Sequence, residues 1–300
     1  MLKIAFDRIY KYQLPEGHRF PMEKYELLPE QLLYEGTVTD DNFFQPGPAT
    51  HEDILLTHTE EYLQKLISQN LSKKEVRNIG FPMTPELIER GMHIAHGTTI
   101  GSKIALKEGI AMNIAGGTHH SFKDKGEGFC VFNDIAIASN VLLNGGIVKK
   151  ILVVDLDVHQ GNGTASIFQG ENRVFTFSMH GEKNYPIRKE QSNLDIGLPD
   201  KTNDEYYLRV LTDTLEPLMD QVEPDIVFYL SGVDVLETDK LGRLSLSLDG
   251  CKKRDEHVLK LCKKHNLPIM ISMGGGYSHH IKHIIEAHAN TFRLAQEIYY

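Results

Sequence analysis

Asp155, Asp157 and His159 stand two residues apart in the run ILVVDLDVHQGNG at 151–163. The four apolar residues before them, Ile151 to Val154, have the composition of a buried strand. Side chains at i, i+2 and i+4 of a strand share a face, so an extended backbone here presents carboxylate and imidazole together. Sites in open α/β sheets collect beyond the carboxyl ends of strands, and an Asp-x-His pair there reads as metal chemistry. The same triplet is also common in solvated loops and capped turns, so independent stretches must decide.

Four further strand-like runs end in reactive residues. The run 109–115 (GIAMNIA) leads into Gly116, Gly117, Thr118, His119 and His120. The run 173–178 (RVFTFS) ends at Ser178, Met179 and His180, the run 225–230 (DIVFYL) leads to Asp234, and the run 267–272 to Gly274, Gly275, Gly276 and Tyr277. Each has a plainer reading alone: a surface His pair, an Asx turn at Asp234, or a glycine turn lacking the G-x-G-x-x-G spacing and lysine of phosphate loops. Five such ends on one sheet edge are hard to obtain by chance. Asp157, His159 and Asp234 offer two carboxylate oxygens and one nitrogen, leaving positions open as catalytic metal centres do. Such an ion polarises a carbonyl and brings the pKa of bound water to ~7. His119 and His120 are suited to proton transfer, and Tyr277 to donating a hydrogen bond to a developing oxyanion. Together these parts make metal-assisted hydrolysis of an amide.

The elements that must position these groups alternate. A strand is expected at 2–6, an irregular loop at 10–29, and a helix from a capping-box spacing at 57–60 through about residue 69. Helices follow from Pro85 toward Leu106, at 132–143, at 204–219 with Pro217 ending it early, at 249–265 and at 281–297. Strand, glycine or polar cluster, helix, repeated, predicts an α/β fold: a single domain over 1–300, doubly wound, with a mostly parallel sheet and helices on both faces. No linker, internal repeat or low-complexity tract interrupts it.

With 300 residues, 41% hydrophobic and 24% charged, the chain has ordinary globular composition. Net charge is −9 and no basic block exceeds Lys-Lys-Arg, which excludes a nucleic-acid footprint. Three cysteines, an odd count without a C-x-x-C, argue for a reducing compartment. MLKIAFDRIY contains no long apolar run, so neither a leader nor a membrane span is expected, and the expected location is cytoplasmic. Nothing in the sequence bears on oligomeric state.

The motifs GGTHHSF (116–122), GEGFCVFND (126–134), VDLDVHQGNG (154–163), FSMH (177–180), SGVDVLETD (231–239) and GGGY (274–277) resemble, in order, those of the histone deacetylase and acetylpolyamine amidohydrolase superfamily, whose fold is arginase-like. EGHRFPMEKY, HQGNG, VDVLETDKLGRLSLS and KRDEHV resemble the class IV branch and its bacterial relatives. The resemblance implies Zn2+ at Asp157, His159 and Asp234. It implies His120 as general base and then acid, His119 helping to hold the water, Asp155 orienting His119, Asn162 orienting His120, and Tyr277 polarising the acyl oxygen. Phe129 is implied as one wall of an acyl-lysine tunnel and Tyr185 as the other, with Gly128 and Gly275 also at the substrate. A K+ site is implied at Asp155, Asp157, His159, Ser178 and Met179.

Two departures bear on function. Asn162 stands where many members carry Asp, which makes His120 less basic. The rim stretch 79–83 (IGFPM) lacks the acidic residue that clasps a substrate backbone in class I. The expected function is a zinc-dependent amidohydrolase removing acetyl or longer acyl groups from lysine side chains; the alternative is an acetylpolyamine or other small acylated-amine amidohydrolase. A binuclear manganese ureohydrolase would need more bridging carboxylates than Asp234 and Asp239. A silent acyl-lysine reader would be expected to have lost a ligand or the tyrosine. Two hard oxygen ligands could also accept Fe(II) or Co(II). His18 and Arg19 are candidates for the pocket mouth, and His58 for a structural role; the other histidines read as surface or packing residues.

Overall fold

The computed structural model describes residues 1–300. In chain order its elements are β1 (Lys3–Ala5), α1 (Lys24–Tyr34), β2 (Phe43–Phe44), α2 (His51–Leu55), α3 (Glu60–Ile67), α4 (Lys73–Ile79), α5 (Pro85–Glu108), β3 (Ile110–Asn113) and α6 (Asp134–Asn144). They continue with β4 (Ile151–Asp155), α7 (Asn162–Ile167), β5 (Val174–Gly181), β6 (Leu194–Leu198), α8 (Asp204–Val222), β7 (Ile226–Gly232), α9 (Leu248–Lys264), β8 (Ile269–Gly274) and α10 (Ile281–Tyr299).

Alternate residues of the central strands enter two different cores. Ile151, Val153, Ile226, Phe228 and Met270 pack with Ile135, Ala138 and Leu142 of α6. Leu152, Val154, Val227, Tyr229 and Ile271 join the larger core, with Leu211 of α8, Val258 of α9 and Ile284 of α10. Period-2 alternation in a strand that is apolar on both faces thus covers the sheet on both sides, as a parallel sheet requires. The eight strands run β2-β1-β3-β8-β7-β4-β5-β6, and every pairing is parallel. The expected α/β architecture is therefore the one observed.

Four local expectations need correction. Residues 10–29 are not all loop, because α1 begins at Lys24 and buries Tyr25, Leu28 and Leu32. The cap of α3 is Thr59, which accepts from the Tyr62 amide, while the Thr57 hydroxyl accepts from Asn140. Pro217 does not end α8, which runs on to Val222. An interior proline costs about 3 kcal/mol, but Leu218, Met219 and Val222 continue the buried face and together offset it. Finally, β2 and β6 are strands the composition hides: one is two residues long, the other carries Asp195 and Gly197 and lies at the sheet edge.

Candidate active site

β3, β8, β7 and β4 are adjacent, and their carboxyl ends deliver the reactive residues to one crevice. Asp155 is in register with Leu230 of β7, and Gly232 with Gly274 of β8. Just beyond these points lie Asp157 and Asp234, both buried. Glycine is required where the backbone passes closest. A Cβ on Gly275, which has φ +60°, would lie 2.5 Å from Asp234 Cγ, and one on Gly232 would lie 2.6 Å from Asp157 Cα. On Gly128 it would lie 2.6 Å from the His120 ring.

Asp157, His159 and Asp234 place one ligand atom each within 4.8 Å of one another, all buried. The same ring nitrogen, His159 Nδ1, lies 3.0 Å from Asp157 Oδ1 and 3.2 Å from Asp234 Oδ2. Asp234 Oδ1 accepts from the Val158 amide, while its buried Oδ2 receives no well-aimed hydrogen bond. Burial disfavours charge on His159, yet its hydrogen bonds to the two carboxylates raise its pKa to about 10. Burial and the charge of Asp157 push Asp234 up to about 7. Two buried carboxylates converge on one imidazole nitrogen, and the Asp234 oxygen left without a hydrogen bond is the one that faces it. The donor set fits a divalent metal ion.

Two imidazoles flank this set. His119 Nδ1 donates to Asp155 Oδ2 at 2.7 Å, and His120 Nδ1 to Asn162 Oδ1 at 2.6 Å, the rings lying 4.1 Å apart. Burial opposes the His119 imidazolium, but Asp155 and Asp157 raise its pKa to about 9. Burial, with His119 and His159 nearby, drives His120 well below the usual histidine range. The pair is split into one cationic and one neutral ring. Burial, then the charges of Asp234 and Asp157, raise Tyr277 well above its ordinary value, so its phenol keeps its proton.

A cavity of about 470 Å³ joins these groups and is also lined by Phe129 and Tyr185. The Phe129 ring lies 5.9 Å from that of Tyr277, and the Tyr185 ring 5.0 Å from that of His120 and nearly perpendicular to it. Arg19 lines the cavity, whereas His18 sits 3.0 Å from the Gly80 carbonyl. Ser178 and His180 do not line it; they are buried on β5 and hydrogen-bond to each other at 3.0 Å. His58 is buried, its Nε2 accepting from the Asn133 amide.

Sequence reasoning gave no positioning role to four residues. Asp239 accepts from the amides of Leu241 and Gly242 at 2.8 Å each and of Tyr277 at 2.6 Å. It clamps the tyrosine turn and is not one of the three grouped ligand residues. Lys24, buried in α1, donates to the Gly275 carbonyl at 2.6 Å. Arg254 and Asp255 of α9 are fully buried. Arg254 donates to the carbonyls of Gly232 (2.5 Å) and Leu156 (3.2 Å), at the carboxyl ends of β7 and β4. Asp255 holds its Nε at 2.8 Å and accepts from Tyr229 and Thr291. The one readable signal was an Arg-Asp pair on the apolar face of a helix.

The histone deacetylase domain family matches residues 18–292. The chain belongs to that family. A histone deacetylase-family protein of Arabidopsis thaliana, Histone deacetylase 2, is 30% identical over 87% of this chain and 70% of its own. The acetoin utilization protein AcuC of Staphylococcus aureus is 27% identical over 91% of this chain and 76% of its own. An uncharacterized protein of Picosynechococcus is 41% identical over 99% of both chains. Among solved structures, an HDAC homolog complexed with SAHA superposes with a TM-score of 0.84 over 97% of this chain and 82% of its own, at 25% identity. Family membership makes this histone deacetylase-family chain a deacetylase-type amidohydrolase, a hydrolase acting on amides. No helix in it is long and apolar enough to cross a membrane.

Proposed function

We propose that the chain is a single-domain zinc-dependent lysine deacylase, hydrolysing the amide of acetylated or longer-chain acylated lysine side chains. The observation that carries this reading is the convergence of Asp157, His159 and Asp234 beside two differently charged histidines and a protonated tyrosine in one cavity. Asp157, His159 and Asp234 would hold the zinc. When bound, that ion supplies Lewis acidity toward water and the acyl oxygen.

The protein's own groups account for the proton movements. His120 is neutral and its Nδ1–H is committed to Asn162, leaving Nε2 free to take the proton of the attacking water. The same nitrogen then returns that proton to the leaving lysine amine. His119, held through Nδ1 by Asp155, orients the water and holds down the basicity of its neighbour. Tyr277 donates its phenol hydrogen bond to the acyl oxygen as negative charge develops there. Phe129 and Tyr185 line the path of the acyl-lysine, and Gly128 and Gly275 line the same cavity.

Potassium at Asp155, Asp157, His159, Ser178 and Met179 belongs to the same reading, supported by the in-register pairing of Asp155 with Ser178. Placement near the class IV branch rests on EGHRFPMEKY, HQGNG, VDVLETDKLGRLSLS and KRDEHV, the last of which supplies the Arg254 that braces the site. Cytoplasmic location is supported by three buried, unpaired cysteines.

The test is amine release by zinc-loaded protein from an acetyl-lysine peptide, a long-chain acyl-lysine peptide and an acetylpolyamine. Asp157→Ala and Tyr277→Phe are assayed beside the wild type. Turnover of a lysine substrate, lost in Asp157→Ala and reduced about 10²-fold or more in Tyr277→Phe, is the expected outcome. Turnover of the polyamine alone moves the assignment to small acylated amines. No turnover with zinc bound overturns the hydrolase mechanism.

A further inference from the structure

The mouth of the cavity carries charge opposite to that of the protein. The chain has a net charge of −9, yet its exposed lining residues are Arg19, Asn78, Lys183, Tyr185 and Arg243, with no acid among them. Arg19 lies over the face of Phe129, 4.9 Å from the ring centre, and neither it nor Lys183 has a carboxylate within ion-pair distance. Arg243 is paired with Asp200 at 2.8 Å. Glu127, the one acid of the lining outside the metal set, is half-buried, and its two oxygens are held by Lys125 and by the Tyr185 hydroxyl, both at 2.7 Å. Glu182, beside Lys183 in sequence, lies against Gly197 of β6 and does not line the cavity. Two unpaired cations therefore border an opening whose acid is already spoken for.

We infer that this mouth selects protein segments in which the acylated lysine is flanked by Asp or Glu, and selects against cationic amines. The inference rests on the deacylase reading above and narrows its substrate. An acylated lysine in the tunnel places its neighbouring residues within one or two 3.3–3.6 Å steps of the rim, in reach of Lys183 and Arg19. An acidic neighbour there gains two opposite charges. A mono-acylated polyamine instead brings its remaining ammonium groups against the same two cations. Both rim residues are solvated, so the discrimination acts mainly on encounter and is screened by salt.

The experiment compares kcat/KM for equal-length acetyl-lysine peptides with Asp/Glu, Gly/Ser or Lys/Arg flanks, and for a mono-acetylated diamine, at low and high ionic strength. The zinc-loaded wild type and Lys183→Glu are both assayed. The expected order is acidic, then neutral, then basic, with about a tenfold span at low salt that contracts at high salt. Lys183→Glu is expected to lower the acidic-to-basic ratio at least about threefold. Turnover with no flank preference, with a basic preference, or with a span that ignores salt overturns this inference and leaves the deacylase reading standing. Absence of turnover on every substrate, with zinc bound, overturns both.

Discussion

Asp239→Asn tests whether the tyrosine turn is positioned by a single half-buried carboxylate. Oδ1 takes the Leu241 and Gly242 amides and Oδ2 the Tyr277 amide. Replacing one oxygen by an amide NH2 turns one of those acceptors into a donor, whichever way the side chain is set. If Oδ1 keeps its two partners, the Tyr277 N–H faces another donor. Losing one hydrogen bond to a charged acceptor costs roughly 1.5–3 kcal/mol, which in a chain of this length lowers Tm by about 5 °C. Removing a donor to a developing oxyanion costs about 10²–10³ in kcat; displacing it is expected to cost about 10–100-fold, with KM within about threefold. The assay is kcat and KM on an acetyl-lysine peptide, with zinc content and Tm measured on the same samples. A double-mutant cycle gives the decisive comparison. If Asp239 acts through the phenol, adding Asp239→Asn to Tyr277→Phe changes kcat less than about threefold. Full multiplication of the two losses refutes the argument and leaves Asp239 as a loop clamp only.

Other perturbations give separate readouts. Arg254→Met leaves Asp255 buried without its cation, a change worth about 3–5 kcal/mol, and frees the Gly232 and Leu156 carbonyls; melting with and without zinc should show a smaller zinc-induced rise in Tm than wild type, whereas an unchanged rise would mean a purely structural brace. Gly275→Ala combines φ +60° with a Cβ 2.5 Å from Asp234 Cγ, so chelator competition is expected to show zinc binding weakened at least about tenfold. His58 is held neutral by burial, its pKa lowered from 6.5 to about 4. The unfolded chain binds that proton below about pH 6.5 and the folded chain does not until about pH 4, so stability is complete above that window and falls as pH drops through it, by roughly 3 kcal/mol at most. Denaturant midpoints at about pH 7 and about pH 5 should converge for wild type and His58→Gln at the lower pH if this accounting is right.

The strands that carry the site were legible because they combine apolar runs with abrupt reactive ends: β3, β4, β7 and β8 each fall within a residue or two of their expected positions. β2 was not, because two phenylalanines are too short a run to have a period. Pro217 misled because local backbone rules know nothing of the apolar face that continues past it. Asp157, His159 and Asp234 could be grouped because their spacing after strands has chemical meaning. Asp239, Lys24 and Arg254 could not, since each acts by a hydrogen bond to backbone at a position distant in sequence. A motif can contain such a side chain without saying which backbone group it holds; only the fold says that.

The pairing of β4 with β7 joins Asp155 to Leu230 across an interval occupied by β5, β6 and α8. Contacts of such long sequence separation form late and slowly, because the loop must close before it is rewarded. A chain emerging from the ribosome therefore displays Asp157 and His159 well before Asp234 exists to complete the set, and two ligands on a short segment hold a divalent ion poorly. On the proposed function, the ion would then be loaded onto a finished sheet and would not template its folding. The metal-free chain is expected to fold on its own, and the activity proposed here would follow the supply of metal after synthesis.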